Sequence, residues 1–308
     1  MKRILTMGAL IAAMVGCASA AESPEDPEAN DSNDALSSSA PSYVSVRRDP
    51  RRCASPSPKC GGYYVHELNG SRDDRYVSGF DLSALGLDPR TEEDLHAAPK
   101  RELVLYGSVG EPDRPFGVRA FVVTGAYLGM PGVSVAEGAS FYTVGARSPK
   151  IVCIAAPCPN EVAQELNRAA NVLFDGVRVV PAARPLVDQD WLATRVLTRD
   201  AVVAGTFAPG AQYPAGKELL LVASQVFVRL PDRPEPCPRM PLPLCDADTE
   251  EVMTFRRNSD RCLVPTGCAK PGLCPMVRPV CGEGYVLESW RSGSAACFAH
   301  ACDPTFAR

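Results

Sequence analysis

The sequence predicts a mostly β protein with a minor α component (α+β): two tandem repeats, each a small β-sheet or barrel-like unit, followed by a disulfide-rich, loop-dominated tail. Three observations lead to this prediction. Of 308 residues, 29 are proline and 24 are glycine, which favours short strands and loops over long helices. Similar blocks recur 98 residues apart, and eight of the 13 cysteines lie in the last 72 residues.

The first 20 residues have the pattern of an export signal. Lys2 and Arg3 precede an apolar stretch, Ile4–Val15. Two cleavage sites compete. Met14–Cys17 (MVGC) resembles a bacterial lipobox, which would make Cys17 the lipid attachment site, whereas Ala18–Ala20 (ASA) fits an ordinary signal peptidase site. The first interpretation predicts an outer membrane lipoprotein on the periplasmic or surface face, and the second predicts a secreted protein.

Residues 21–42 are predicted to be an acidic disordered linker. They contain six acidic residues, no basic residue and one large aliphatic residue, Leu36. The two basic residues of the signal and the six acidic residues of the linker leave 30 charges of each sign in residues 43–308. A neutral body has no basic surplus for nucleic acid, and no apolar run is long enough for a membrane helix. We therefore expect contact with a membrane only through the lipid anchor.

An internal duplication organises the body. The matched blocks are Glu67–Asn69 with Glu165–Asn167, Leu103–Gly107 with Ala201–Gly205, and Phe121–Val123 with Leu219–Leu221. We interpret them as two repeat domains, residues 43–135 and 140–230, with the cysteine-rich tail at 231–308.

Short apolar runs between turn signals give the elements of each repeat. We expect strands at Tyr43–Val46 and Tyr63–His66, terminal hairpins from Leu103–Val109 with Arg119–Leu128 and from Val202–Phe207 with Glu218–Val228, and helices near Thr91–Ala98 and Asn160–Ala170.

The stretch Arg47–Pro56 and the following Cys60–Val65 resemble the opening motif of an uncharacterised domain family in predicted bacterial lipoproteins. That family is often duplicated, and Cys153–Pro159 (CIAAPCP) matches its second variety. The first copy departs from the pattern, because two extra residues separate its cysteines and Arg75–Val77 stands where a second cysteine pair is expected. The resemblance implies an exported lipoprotein without a known activity.

Apart from Cys17, twelve cysteines remain, an even number that predicts disulfides in an exported chain. They are Cys53, Cys60, Cys153, Cys158, Cys237, Cys245, Cys262, Cys268, Cys274, Cys281, Cys297 and Cys302. We expect the short-range pairs 53–60, 153–158, 237–245 and 297–302. The other four allow three connectivities that the sequence leaves open. Their spacing fits zinc poorly, so we expect no metal and no cofactor.

No catalytic motif surrounds the three histidines, His66, His96 and His300, so no catalytic residue is assigned. Asn69 and Asn167, repeated in the two copies, are predicted to lie in turns or at strand ends rather than to bind a ligand. Trp191 and Trp290 are predicted to be buried aromatic residues, with stacking on a glycan as the alternative.

These features predict a non-enzymatic, exported envelope lipoprotein with a binding or structural role toward a protein or glycan ligand. One alternative is an extracellular protease inhibitor. Cys281–Tyr285, with Cys297 and Cys302, loosely resembles small inhibitor modules of the antistasin type, and Met276–Pro279 would supply the inhibitory loop with Arg278. The other alternative is a hydrolase with an unrecognised site.

Overall fold

Runs of apolar residues build one twelve-stranded sheet in the computed structural model. The structure describes residues 40–51, 60–70, 72–97, 103–113, 116–147, 155–179, 186–232 and 237–307. The first half of the sheet contains β1 (Ser42–Arg48), β2 (Tyr63–Glu67), β3 (Arg75–Val77), β4 (Phe80–Asp81), α1 (Pro89–Ala97), β5 (Leu103–Pro112) and β6 (Arg119–Gly129). The second half contains β7 (Ser140–Ala146), β8 (Glu161–Glu165), β9 (Asn171–Phe174), β10 (Gly176–Val179), α2 (Gln189–Leu197), β11 (Thr198–Tyr213) and β12 (Gly216–Leu230).

The strand order is symmetric about its centre. It runs β3-β2-β1-β5-β6-β12-β11-β7-β8-β9, and the short strands β4 and β10 pair in parallel with β6 and β12. Each half of the sheet also closes back on its own last strand. The chain after β3 is hydrogen-bonded to the start of β6, and the chain after β9 is hydrogen-bonded to the start of β12. Phe121 N donates to Gly79 O at 3.0 Å, and Asp175 N donates to Leu219 O at 2.8 Å.

The central strands are buried on both faces. Leu103 and Leu105 of β5 face a main core built around Phe121 and Trp191. Val104, between them, faces a second cluster with Tyr127. Burial on both faces explains why these strands are continuous apolar runs in the sequence.

The predicted strands and both hairpins are present, but one predicted helix is wrong. Residues 161–165 form β8 between β7 and β9 instead of a helix near Asn160–Ala170. The residues Ala163, Gln164 and Glu165 favour helix in isolation, and pairing on two sides overrides that local preference.

The sequence prediction also missed α2. Asp188 caps this helix, since its Oδ1 accepts a hydrogen bond from Trp191 N at 3.1 Å. Trp191, Leu192 and Val196 are buried on one face.

The third block of the predicted duplication is displaced by two residues. Gly107 and Gly205 lie 98 positions apart, but their partners across the hairpin are Val123 and Ala223, which lie 100 apart. The second hairpin is therefore two residues longer than the first, and Phe121 matches Leu221 in place of Leu219.

Two disulfide-linked hairpins form the tail: β13 (Val252–Arg257) with β14 (Leu263–Ala269), and β15 (Tyr285–Ser292) with β16 (Cys297–Pro304). The bonds are Cys237–Cys262, Cys245–Cys268, Cys274–Cys297 and Cys281–Cys302. In each hairpin, two cysteines in or next to the second strand hold an extended segment that precedes the first strand.

The predicted pairs Cys237–Cys245 and Cys297–Cys302 are wrong. Cys297 and Cys302 lie five residues apart in β16 and are therefore about 16 Å apart, whereas a disulfide needs Cα atoms about 5.5 Å apart. Cys237 and Cys245 bond instead to two different cysteines of the first tail hairpin, Cys262 and Cys268. Cys60 and Cys158 are also disulfide-bonded, but their predicted partners, Cys53 and Cys153, lie outside the described residues. The predicted signal, the Cys17 lipid site and nearly all of the predicted linker lie outside them as well.

Candidate functional site

The tail exposes an unusual number of large apolar side chains. Most of them lie on two segments, residues 237–245 and 273–281, which we name the first and second apolar segments. Leu244, Leu273 and Met276 are 101%, 103% and 100% exposed, and Val280 is 91% exposed. Single exposed aliphatic side chains are common on protein surfaces, whereas concentrations of this kind mark interaction sites.

Covalent anchors keep both segments extended. A disulfide holds each segment near both ends, and prolines such as Pro241 and Pro279 restrict the backbone between the anchors. Within the part of the chain that the structure describes, no backbone N–H of either segment donates a hydrogen bond. Each segment is thus restrained near both ends and has backbone groups available to another molecule.

The charge of the apolar segments is purely basic. Their only ionisable side chains are Arg239 and Arg278, and both are exposed. A complementary surface would therefore be apolar with acidic groups at matching places.

Buried ion pairs fix the tail to the second half of the sheet. Asp232, which follows β12, accepts hydrogen bonds from Arg195 Nε of α2 at 2.7 Å and from Arg261 Nη2 of the tail at 2.9 Å. The indole Nε1 of Trp191 donates to the same carboxylate at 3.2 Å. The side chains of Asp232, Arg195 and Arg261 are only 3%, 10% and 7% exposed, so little solvent screens them.

A second arginine of the tail extends this network. Arg257 forms a bidentate pair with Asp303, with Nη1 2.8 Å from Oδ1, and lies 3.5 Å from Asp188 of α2. Burial lowers the pKa of Arg261, while Asp232 and Asp303 oppose that shift. Three carboxylates balance three guanidinium groups, and so the buried network is neutral.

The repeated asparagines lie in turns, as predicted, and they also join the two halves. Both have left-handed backbone angles, with φ of 54° at Asn69 and 58° at Asn167. Asn69 Nδ2 donates to Phe141 O at 2.7 Å, and its Oδ1 accepts from Phe141 N at 3.0 Å. Asn167 makes the equivalent pair of bonds to Tyr43, at 2.7 and 2.8 Å. These contacts explain a recurring residue that the sequence could place only in a turn.

The histidines do not come together. His66 pairs with Asp74 at 3.1 Å, and His96 lies 3.9 Å from Glu92, both at the surface. His300 Nδ1 lies 2.8 Å from Ser289 Oγ, its cross-strand partner on the exposed tail hairpin. Across the described ranges, no carboxylate contacts His300 and no group of three His, Cys, Asp or Glu side chains has the geometry of a metal site.

The two tryptophans have different environments. Trp191 is fully buried, as predicted. Trp290 is half-buried and stacks under Arg257, whose guanidinium carbon is 5.5 Å from the ring centre. It lines a cleft of about 290 Å³ between α2 and the tail, together with Asp190 and His300. Among the described residues, no helix is long and apolar enough to cross a membrane.

A scan against known families matches residues 42–233 to the domain of unknown function DUF6748. The chain belongs to this family. The DUF6748 domain covers both halves of the sheet and ends one residue after Asp232, so the tail lies outside it. An uncharacterized protein of Dictyostelium discoideum is 29% identical over 258 residues, which cover 81% of this chain and 83% of the relative. An alignment that covers 81% of this chain is longer than residues 1–233, so the similarity extends into the tail. No solved structure shows a significant match.

The sequence did not reveal the buried network. Asp232, Arg195 and Arg261 are far apart in the chain, and no motif links them. The position of Asp188 just before an apolar helical pattern was the one available signal for α2.

Proposed function

We propose that this protein is an exported, non-enzymatic binding protein whose tail presents the two apolar segments to a partner protein. The observation that carries the proposal is the full exposure of Leu244, Leu273 and Met276 on segments that disulfides hold at both ends. A restrained segment loses little conformational entropy on binding, and its free backbone groups can pair with the edge of a partner's sheet. The four disulfides of the tail support an oxidising, extracellular or exported location.

The sheet serves as the scaffold in this proposal. We infer that residues 43–135 and 140–230 are tandem repeats, which the symmetric strand order and the reciprocal asparagine contacts support. We further propose that Cys17 carries a lipid that anchors the chain in the outer membrane and that residues 21–42 act as the tether. This part rests on the sequence motif alone. The intact mass of the mature protein, before and after reduction, tests it, because cleavage after Ala20 would remove Cys17.

A photo-crosslinker at position 276 of the full chain, activated in the native envelope, tests partner binding. We expect one discrete protein adduct, and we expect Leu273→Asp to abolish it because a charge would have to be buried in the interface. Leu173→Asp, at an exposed apolar residue of β9, is the matched control and should keep the adduct. Absence of any protein adduct with the wild-type side chains around the probe would refute the proposal.

The second candidate function is inhibition of an extracellular protease, which the exposure of Arg278 in a disulfide-anchored segment favours. Arg278→Ala is expected to abolish inhibition of a trypsin-like protease. Pro279 follows Arg278 and constrains the bond that a protease would attack. Arg239 of the first apolar segment is followed by Met240 and has no such constraint, so Arg239→Ala is tested in the same assay as a second candidate for the inhibitory residue. If the wild-type protein inhibits no trypsin-like protease, this candidate is excluded.

A further inference from the structure

One difference between matching positions of the two halves accompanies a cavity beside α2. In the first half, Tyr63 of β2 and Phe80 of β4 pack their rings together, with centroids 4.3 Å apart. In the second half, Glu161 and Val177 occupy the matching positions. A carboxylate and a small aliphatic side chain cannot fill the same space.

The register of the strands establishes this correspondence. β2 has five residues and ends directly before Leu68, and β8 has five residues and ends directly before Leu166. Both strands have the same alternation of burial, so their first residues, Tyr63 and Glu161, match. Phe80 pairs with Phe121, and Val177 pairs with Leu221. These two partners are themselves equivalent, because they face hairpin residues 98 positions apart, Val109 and Phe207.

The open space is a cavity of about 300 Å³ between β8, β10 and α2. Its apolar walls come from β10 and α2: Val177, Val179, Leu192, Ala193, Val196 and Leu197. Glu161 and Asp190 are its acidic residues, and no basic residue lines it.

Glu161 is half-buried, and its carboxylate has one oxygen without a partner. Its Oε2 is inaccessible to solvent and has no hydrogen-bond partner. Burial raises the pKa of Glu161, and no neighbouring cation opposes the shift. Glu161 lines the cavity with no cation beside it, so a cationic ligand in the cavity would supply the charged partner that the carboxylate lacks.

We propose that this cavity binds a small organic amine, with the ammonium group on Glu161 and the apolar body between β10 and α2. An engineered apolar cavity of about 150 Å³ holds a benzene molecule, so this one has room for an aromatic ring and a short alkyl chain. The apolar walls provide affinity, and the single carboxylate selects for positive charge.

Calorimetric titration of the full chain with phenethylamine, 2-phenylethanol and 3-phenylpropanoate tests the proposal. These probes share a phenylalkyl body and differ in charge. We expect phenethylamine to bind with a dissociation constant on the order of 1 mM or lower, and the alcohol and carboxylate at least tenfold more weakly. Equal binding of the amine and the alcohol, or no binding of the amine, would overturn it.

Two variants separate charge from shape. Glu161→Gln keeps the size of the side chain and should weaken phenethylamine binding at least tenfold, whereas Val177→Phe keeps the carboxylate and should block the cavity as Phe80 does in the first half. Phe80→Leu, at the matching position of the first half, is the control and should not change binding. If Glu161→Gln binds the amine like the wild-type chain, another site is responsible and the proposal is wrong. Leu273→Asp changes the tail and not the cavity, so it should bind phenethylamine like the wild-type chain. Amine binding and partner binding by the tail can therefore fail independently.

Discussion

Replacing Asp232 by Asn tests whether buried charge pairing holds the tail in place. The substitution preserves size and removes one negative charge that two guanidinium groups share, at 2.7 and 2.9 Å. All three side chains are at least nine-tenths buried, so water cannot replace the lost charge. Breaking a buried ion pair from one side typically costs about 3–5 kcal/mol, and we expect a loss of this size in the free energy of unfolding.

Urea denaturation followed by tryptophan fluorescence measures this loss, since Trp191 donates to the same carboxylate. Asp74→Asn is the matched control. Its ion pair with Arg47 is 3.1 Å long, but the two side chains are 40% and 61% exposed, so it should cost less than about 1 kcal/mol. If Asp232→Asn costs no more than Asp74→Asn, the network does not hold the tail and the argument fails.

Three further predictions concern separate parts of the fold. Asn69→Asp keeps the turn geometry but removes both amide donors to the second half, so it should cost about 2–3 kcal/mol in thermal unfolding; an unchanged midpoint would contradict the bridging role. Because burial raises the pKa of Glu161, its ionised form destabilises the native state above the unfolded value near 4.5. Glu161→Gln should therefore stabilise the protein at pH 7, with the gain disappearing below pH 4.5; equal stabilisation at pH 7 and below pH 4.5 would contradict it. Removing the Cys281–Cys302 bond with serines should cost about 2–4 kcal/mol, and peptide mapping of the wild type should show Cys237 linked to Cys262 and not to Cys245.

Local pattern was sufficient to predict the parts of the fold that local sequence determines. The hairpins β5–β6 and β11–β12 are apolar runs around a turn, and the recurring Asn69 and Asn167 lie in turns as their residue type predicts. β8 failed because its composition favours helix, and only pairing with β7 and β9 makes it a strand. The tail disulfides failed because nearest neighbours in sequence lie along one extended segment, out of bonding distance.

Contacts between distant residues could not be predicted from one sequence. The amide of Asn69 bonds to Phe141 across 72 positions, and Arg257 meets Asp303 across 46. Nothing in the chain around these residues specifies the partner. The cavity also needed the structure, because Glu161 becomes informative only when the register aligns it with Tyr63.

The helix α2 links the cavity and the tail, because one of its residues contacts the network that holds the tail and the next lines the cavity. Trp191 bonds to Asp232 in the network that holds the tail, and its neighbour Leu192 lines the cavity next to Glu161. A ligand that fills the cavity should restrict this helix and, through Asp232 and Arg261, the tail. The first apolar segment is bonded to Cys268 in β14 and to Cys262 directly before it. We therefore expect saturating phenethylamine to slow hydrogen exchange at the amides of β14 in the wild-type chain, and we expect no such slowing in Glu161→Gln. Protection of α2 without any change in β14 would show that the cavity and the tail act independently, because a helix that transmitted the binding energy would have to stabilise both.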